Sequence, residues 1–366
     1  MNKQPKEYFP LIDLFRIFMC AMVLFFHAIL HKIWVIPKGT FLHGNLSTGA
    51  IYMDAFFLLS GFLLYYLHKD KILNLTQSTL KEFYAKRLIR IYPQYIAYTL
   101  TIIFYSKYFV LAIIPAEILC IHSFFPALFK YAGNGGTWFI SCLLFAYLLF
   151  PILAKIVNAT KKNVYVIVLL YLLIVYCSIL IAKYKFGGLF YNPMYRLPIF
   201  LIGMYLAKIY ITKEKLKNCF AILASIVCFA LLFALIPILY KNNFFFHVKF
   251  GHYNTFYSCI TIPLFSAIIY SLASIKGDFC KKLNNSKILK TLSNITFPFY
   301  IWQGFALRLT KDYFLTSQCN HLLILFLINF LVASVAYIVF DKLIAKFLTN
   351  IYKRNQERER ENRIDI

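Results

Sequence analysis

Long apolar stretches separated by short polar segments run through almost the whole chain. They are 14 to 24 residues long, and most approach the roughly 20 apolar residues that an α-helix needs to cross the hydrocarbon core of a bilayer. The predicted spans are residues 11–30, 50–67, 92–110, 138–157, 163–182, 197–210, 219–240, 256–275, 295–310 and 322–345. A shorter run, 113–129, contains Pro115, Glu117, His122 and Pro126 and is predicted to be re-entrant or interfacial. The pattern predicts an all-α, polytopic membrane helix bundle with about ten transmembrane helices.

The composition agrees with this pattern. Hydrophobic residues make up 61% of the 366 residues and charged residues 14%, against about 45–50% and 25% in a soluble domain. These values exclude an ordinary soluble enzyme, a disordered protein and a disulfide-rich scaffold. The nine Cys are scattered, without a CxxC pair or a Cys/His cluster at metal-binding spacing. We therefore expect neither disulfides nor a bound metal.

The positive charge is distributed unevenly between the two sides of the predicted bundle. The formal net charge is +25, which in a soluble domain would suggest a nucleic-acid partner. Here 28 of the 39 Lys and Arg residues fall on the side that holds both termini and 11 on the other. The positive-inside rule then predicts that both termini are cytoplasmic, and that the partner of the chain is a lipid bilayer rather than a nucleic acid. Residues 1–350 form one membrane domain and residues 351–366 a charged cytoplasmic tail.

Two ionisable residues of the first span are candidate functional groups, because charges inside hydrocarbon are costly. Arg16 and His27 are eleven residues apart, which on an α-helix is three turns plus about 20° and roughly 16 Å. They share one face, which is expected to look into the protein. The alternative is that Arg16 extends to the cytoplasmic interface and that His27 only bonds a neighbouring helix.

Asp54 begins the second span at a depth expected to match that of His27. A carboxylate that accepts from one nitrogen of an imidazole leaves the other nitrogen as a base. The alternative, which has similar weight, is that Asp54 caps the start of its helix.

Arg87 and Arg90 lie in the segment KEFYAKRLIR and are three residues apart. If this segment is helical, they point the same way. Paired guanidinium groups suit phosphate recognition. On its own, the segment is better explained as ordinary positive charge on the cytoplasmic side.

Six segments resemble, in order, the signatures of the acyltransferase-3 family of integral membrane acyltransferases. They are IDLFRIFMCAMVLFFHA, DAFFLLSGFLL, FYAKRLIRIYP, TWFISCLLFAYLLFP, RLPIFLIGMYLA and SNITFPFYIWQGFAL. The residues that match are Asp13, Arg16, His27, Asp54, Phe56, Phe57, Ser60, Gly61, Arg87, Arg90, Tyr92, Pro93, Trp138, Tyr147, Pro151, Phe200 and Gly203. The chain departs from the family at two positions. Leu143 stands where many members carry Glu, and Gln303 where a His is frequent.

The resemblance implies a membrane O-acyltransferase that takes an acyl group from cytoplasmic acyl-CoA, with acetyl-CoA as the commonest donor. The acceptor would be a hydroxyl of a cell-surface or membrane-linked glycan, and the location a bacterial inner membrane. It implies that His27 is catalytic and that Asp54 orients it. The expected donor-binding residues are Arg16, Arg87, Arg90 and Tyr92, and the expected substrate or structural residues are Ser60 and Trp138. Direct acyl transfer is favoured, because no Ser or Cys stands in a recognisable triad.

Two other classes of function are compatible with parts of the same pattern. A transporter or flippase for a polysaccharide or glycolipid would also need Arg, His and Asp along a path through the membrane. A scaffold subunit without chemistry would not need six ordered motifs. The enzyme is favoured because Arg87 and Arg90 lie at one face of the bundle and His27 lies deeper.

Overall fold

The computed structural model describes residues 7–73, 76–106, 113–125, 128, 136–183, 187–242, 256–314 and 318–364. These ranges are helices and turns without a β-strand, which confirms the predicted all-α class. The helices are α1 (Pro10–Leu30), α2 (Phe41–Leu46), α3 (Tyr52–Leu73), α4 (Gln77–Ser106), α5 (Ile114–Ile118), α6 (Trp138–Ala159), α7 (Asn163–Lys183), α8 (Pro193–Thr212), α9 (Asn218–Asn242), α10 (Phe256–Ser274), α11 (Asp278–Asn285), α12 (Lys287–Tyr313), α13 (Gln318–Ala336) and α14 (Ala345–Ile364).

Eight helical segments in the described ranges are long and apolar enough to cross a membrane, which confirms a polytopic bundle. The other two predicted spans, 92–110 and 295–310, fall on α4 and α12. These helices have 30 and 27 residues, or roughly 45 and 40 Å at the α-helical rise. Both are longer than the hydrocarbon core, but their first turns are rich in polar and charged residues. Both helices therefore begin well before the apolar stretches that marked them in the sequence.

Helices α1, α3, α8, α10 and α12 form the centre of the bundle. The outer helices α7, α9 and α13 bury only 17–22% of their apolar windows, against 50–56% for α1, α8 and α10. Their exposed Leu, Ile and Val side chains are the expected surface toward lipid. Functional side chains are therefore to be sought on the central helices.

Two glycines set the distance between α3 and α8. A Cβ at Gly61 would lie 2.0 Å from the carbonyl oxygen of Phe200, and a Cβ at Gly203 would lie 2.0 Å from that of Leu58. Small residues allow two membrane helices to approach until their backbones touch. The match of Gly61 and Gly203 to the family signatures thus has a packing explanation in this chain.

The last span does not end as a simple transmembrane helix. After α13 the backbone forms a π-helix over Tyr337–Ile344 and continues as α14 to Ile364. The predicted tail, residues 351–366, therefore begins inside a helix. Asp341 lies in the π-helical segment, and the Gln94 side chain of α4 donates to it at 3.5 Å.

Candidate functional site

A cavity of about 530 Å³ lies between α1 and α12 and is also lined by parts of α3 and α4, the start of α6 and the turn Gly187–Tyr191. Its aromatic lining residues include Tyr98, Trp138, Phe190, Tyr191 and Tyr300, and its polar ones His27, His31, Gln303, Arg308, Lys311 and Asp312. The C-terminal ends of α1 and α12 form one end of the bundle, which we call the His27 side. The opposite end, where α4 begins, is the Arg87 side.

His27 reaches the cavity because of its position on α1. Val23, His27 and Leu30 share one helical face, and all three line the cavity. The Nδ1 of His27 lies 3.2 Å from the side-chain oxygen Oε1 of Gln303 on α12. An amide oxygen can only accept, so Nδ1 carries the hydrogen, and in the neutral imidazole Nε2 then keeps its lone pair. The contact with Gln303 therefore leaves Nε2 as the nitrogen of His27 that can act as a base.

Asp54 is engaged away from His27. Its Oδ1 is bonded by the guanidinium Nη1 of Arg196 on α8, and its Oδ2 accepts from the Ser258 hydroxyl of α10 at 2.7 Å. The side chains of Asp54 and Arg196 are 0% and 1% exposed. The structure therefore shows no contact between Asp54 and His27 that would support the predicted orienting role. Gln303 contacts the imidazole instead. The reason is direction: the Asp54 carboxylate faces α8 and α10, whereas His27 faces α12.

Arg196 connects this buried ion pair to the walls of the cavity. Its guanidinium carbon lies 3.8 Å from the ring centroid of Phe190 and 5.1 Å from that of Trp138. Its Nε donates to the Phe190 carbonyl at 2.9 Å. Phe190 and Trp138 both line the cavity. The ion pair thus supports the cavity wall that Phe190 and Trp138 form, although neither Asp54 nor Arg196 lines the cavity itself.

Nothing in the single motifs marks Arg196 as the partner of Asp54. The signal available in the sequence was the opposite charge of two isolated intramembrane residues. Both also stand near the start of predicted spans that begin on the same side of the bilayer. Matching intramembrane charges by their expected depth in the bilayer would have paired Asp54 with Arg196.

Arg16 lies at the other end of α1, toward the Arg87 side. Its Nη1 donates to Asp13 Oδ1 and to Ser293 Oγ, both at 3.2 Å. The Ser293 hydroxyl donates to Asp13 at 2.6 Å, and Tyr8 also bonds this carboxylate. These contacts connect α1 to α12, as the His27–Gln303 contact does further along. Ser293 and Gln303 were not among the predicted catalytic or binding residues.

Arg87 and Arg90 lie on the first half of α4 in different surroundings. The Arg87 guanidinium bonds His68 of α3 and lies 5.7 and 5.6 Å from the ring centroids of Phe83 and Tyr147. Arg90 is exposed. Within the described residues, neither arginine lines the cavity at His27. The structure therefore places these arginines at the Arg87 side and His27 at the other.

The remaining predicted residues are placed as follows. Tyr92 donates to the carbonyl of Ile118 at 2.7 Å and so holds the short helix α5 against α4. Ser60 is half-buried on α3 next to the close contact with α8. Trp138 is the first residue of α6, and its side chain lines the cavity. Leu143 is 6% exposed in the apolar core, so the position where many family members carry Glu is filled here by hydrocarbon.

The segment predicted as re-entrant contains a buried polar cluster. Glu117 Oε2 lies 3.5 Å from His122 Nδ1, and His122 Nε2 lies 3.4 Å from the Thr137 hydroxyl. Tyr95 of α4 donates to the same Glu117 oxygen at 3.1 Å. The sequence supplied these residues but no pattern that joins them, because Thr137 stands fifteen residues after His122 in the chain.

The family comparison covers the helices that surround the cavity. A family model described as an acyltransferase domain, of the acyltransferase-3 type, matches residues 9–340. The searches of curated proteins and of solved structures gave no match. The family match spans α1 to the π-helical turn and includes every element that surrounds the cavity. The chain therefore belongs to the acyltransferase-3 family of multi-pass membrane acyltransferases.

Proposed function

We propose that this protein transfers an acyl group, most simply acetyl, from acyl-CoA to a hydroxyl of a cell-surface or membrane-linked glycan. The observation that carries the proposal is the His27–Gln303 pair in an aromatic cavity between α1 and α12. Family membership supplies the reaction class. The residues of the cavity support the two chemical requirements of the reaction, a base and a place for a sugar.

The base is His27. A neutral sugar hydroxyl is a weak nucleophile and needs a group that takes its proton as it attacks. The free Nε2 of His27 suits this task, because a neutral imidazole accepts a proton near pH 7 and returns it afterwards. Proton transfer by such a positioned side chain contributes about 10²- to 10⁴-fold to a rate.

The walls of the cavity fit a glycan acceptor. Trp138, Tyr191 and Tyr300 present flat aromatic surfaces with polar edges, which pack against the apolar face of a sugar ring while its hydroxyls bond polar groups. His31, Arg308 and Lys311 line the same cavity near the His27 side. Under this proposal the acceptor enters from that side, which the positive-inside rule assigns to the cell exterior.

The donor would enter from the opposite side. CoA carries phosphates at one end and the thioester at the other, joined by a narrow pantetheine arm. The phosphates would bind at Arg87 and Arg90, because guanidinium groups match phosphate oxygens in geometry and charge. Arg87 Nε is buried without a protein partner, so one donor of this side chain is available. The thioester would then reach His27 along the side of α1 that carries Arg16.

The test uses purified protein in nanodiscs, acetyl-CoA and an envelope glycan fraction from cells that lack the gene. CoA release and base-labile acetyl ester on the glycan are measured together. His27→Ala should abolish both, while His43→Ala should retain both, since His43 is a buried histidine of α2 outside the cavity. Full acylation by His27→Ala would refute the mechanism.

A cellular comparison separates this proposal from transport. Deletion of the gene should remove base-labile esters from surface glycans and leave the amount of glycan unchanged. Loss of the glycan itself from the surface, without a change in ester content per sugar, would instead identify a transporter or flippase.

A further inference from the structure

Gln303 has a second polar atom that the contact with His27 does not use. Its side chain is 3% exposed. Oε1 faces the Nδ1 of His27, whereas the amide nitrogen Nε2 is buried and has no hydrogen-bond partner. Buried donors are nearly always satisfied in native proteins, so an unsatisfied one calls for an explanation. Because Gln303 lines the cavity, a ligand bound there can supply the missing acceptor.

We propose that the Gln303 side chain is a bifunctional catalytic group, whose Oε1 fixes His27 and whose Nε2 donates to the carbonyl oxygen of the acyl thioester. This inference rests on the proposed function. It assigns the donor that stabilises the negative oxygen formed during acyl transfer. Such donors are effective when they are already oriented in a site from which water is excluded.

The reaction balances with the groups present. The acceptor hydroxyl oxygen bonds to the thioester carbonyl carbon while His27 Nε2 takes the hydroxyl proton. The π electrons of the carbonyl move to its oxygen, which becomes an oxyanion bonded by Gln303 Nε2. When the carbonyl re-forms, the carbon–sulfur bond breaks, and the CoA thiolate receives the proton from the His27 imidazolium. The products are an oxygen ester and CoA thiol.

The helix turn that carries Gln303 is held firmly. The hydroxyl of Tyr98 on α4 comes so close to the next residue that a Cβ at Gly304 would lie 2.2 Å from it. Tyr98 also packs edge-on against Trp302, with ring centroids 5.5 Å apart. Contacts on both neighbours of Gln303 restrict movement of this turn. This rigidity is what an oriented donor requires.

Gln303→Glu separates the two roles of the side chain. A carboxylate keeps an oxygen acceptor for His27 Nδ1–H, and it would orient the ring at least as well as an amide does. It loses the donor and places a negative charge where the oxyanion forms. We expect kcat to fall about 10²- to 10³-fold with little change in the KM for acetyl-CoA. If Gln303 only positions His27, Gln303→Glu should match or exceed the wild-type rate, and the inference is then wrong.

Two further variants complete the test. Gln303→Leu removes both functions and should be at least as slow as Gln303→Glu. Gln77→Glu makes the same amide-to-carboxylate change outside the cavity, at the exposed first residue of α4. Because a carboxylate is favourable at the N-terminus of a helix, this variant should retain the wild-type kcat. A matching loss in Gln77→Glu would show that the kcat assay reports charge or folding rather than the donor.

Wild type and His27→Ala distinguish this inference from the proposed function. A wild-type protein without CoA release or ester formation would reject the function itself. An active wild type, an inactive His27→Ala and a fully active Gln303→Glu would reject only the oxyanion role. Binding of acetyl-CoA to Gln303→Glu, measured by calorimetry, should resemble wild type, because the donor acts mainly on the transition state.

Discussion

The buried Asp54–Arg196 pair gives the most demanding test of the structure. Asp54→Asn keeps the size and shape of the side chain but removes the negative charge that faces Arg196. Arg196→Met keeps much of the length of the side chain and removes the positive charge. Each single change leaves the other charge buried without its partner, and the double change removes both.

The structure determines the expected size of the effect. With exposures of 0% and 1%, water cannot compensate either charge. Breaking such a pair from one side costs about 3–5 kcal/mol, or roughly a hundred- to several-thousand-fold in the folded-to-unfolded ratio. The aromatic rings of Phe190 and Trp138 around Arg196 recover part of this cost for Asp54→Asn. Arg196→Met should therefore be the more harmful single change, because it removes the guanidinium that both neutralises Asp54 and packs against Phe190 and Trp138.

The stability of the double variant distinguishes a broken ion pair from a simple packing defect. Replacing both members of a buried ion pair by neutral groups of similar volume is often close to neutral. Asp54→Asn with Arg196→Met should thus be more stable than either single variant, with a coupling energy of at least about 1 kcal/mol. The assay is thermal denaturation in one detergent at one protein concentration, with a control for monodispersity before heating.

Two outcomes would refute this reasoning. Single variants as stable as wild type would mean that the two charges are not paired in the membrane. A double variant whose loss equals the sum of the single losses would mean that the residues act independently. The expected loss of acyl transfer in the single variants follows from movement of the Trp138 wall and is measured with the CoA-release assay.

Two further predictions concern packing and the donor side. Gly203→Ala should reduce the melting temperature and the yield of folded protein, because its Cβ would lie 2.0 Å from the Leu58 carbonyl oxygen and so force α3 and α8 apart. Arg87→Ala combined with Arg90→Ala should raise the KM for acetyl-CoA at least tenfold, while the response to acceptor concentration stays unchanged. An unaltered donor dependence would reject phosphate binding at Arg87 and Arg90.

The fold class could be predicted from sequence because a bilayer imposes one simple rule. Every spanning segment needs about 20 apolar residues with internal backbone hydrogen bonds, and this pattern is visible without knowledge of tertiary contacts. The starts of α4 and α12 could not be located this way. Their first turns are polar, and helix formation there depends on caps such as Ser286, which accepts from the Leu289 amide, and on tertiary packing rather than on apolar periodicity.

The pairing of the site residues was less predictable than their identity. Helical periodicity placed His27 on one face of α1, but it does not state which helix that face meets. The choice between Asp54 and Gln303 as its partner depends on the rotation and order of helices around α1. Those are set by close contacts such as Gly61 against Phe200, which have no signature in hydropathy.

Helices α1 and α12 run parallel. The two residues of each polar contact between them are separated by nearly the same number of positions in the sequence. Arg16 meets Ser293, Cys20 meets the Thr296 carbonyl, and His27 meets Gln303, with separations of 277, 276 and 276 residues. Eleven residues of α-helix span roughly 16 Å, so these contacts form a polar seam through about half of a 30 Å hydrocarbon core. A slip of one residue between the helices would break all three contacts at once. The seam therefore fixes the register that brings the Gln303 amide to His27, and it joins the side of the bundle where the donor would bind to the cavity where the acceptor would lie.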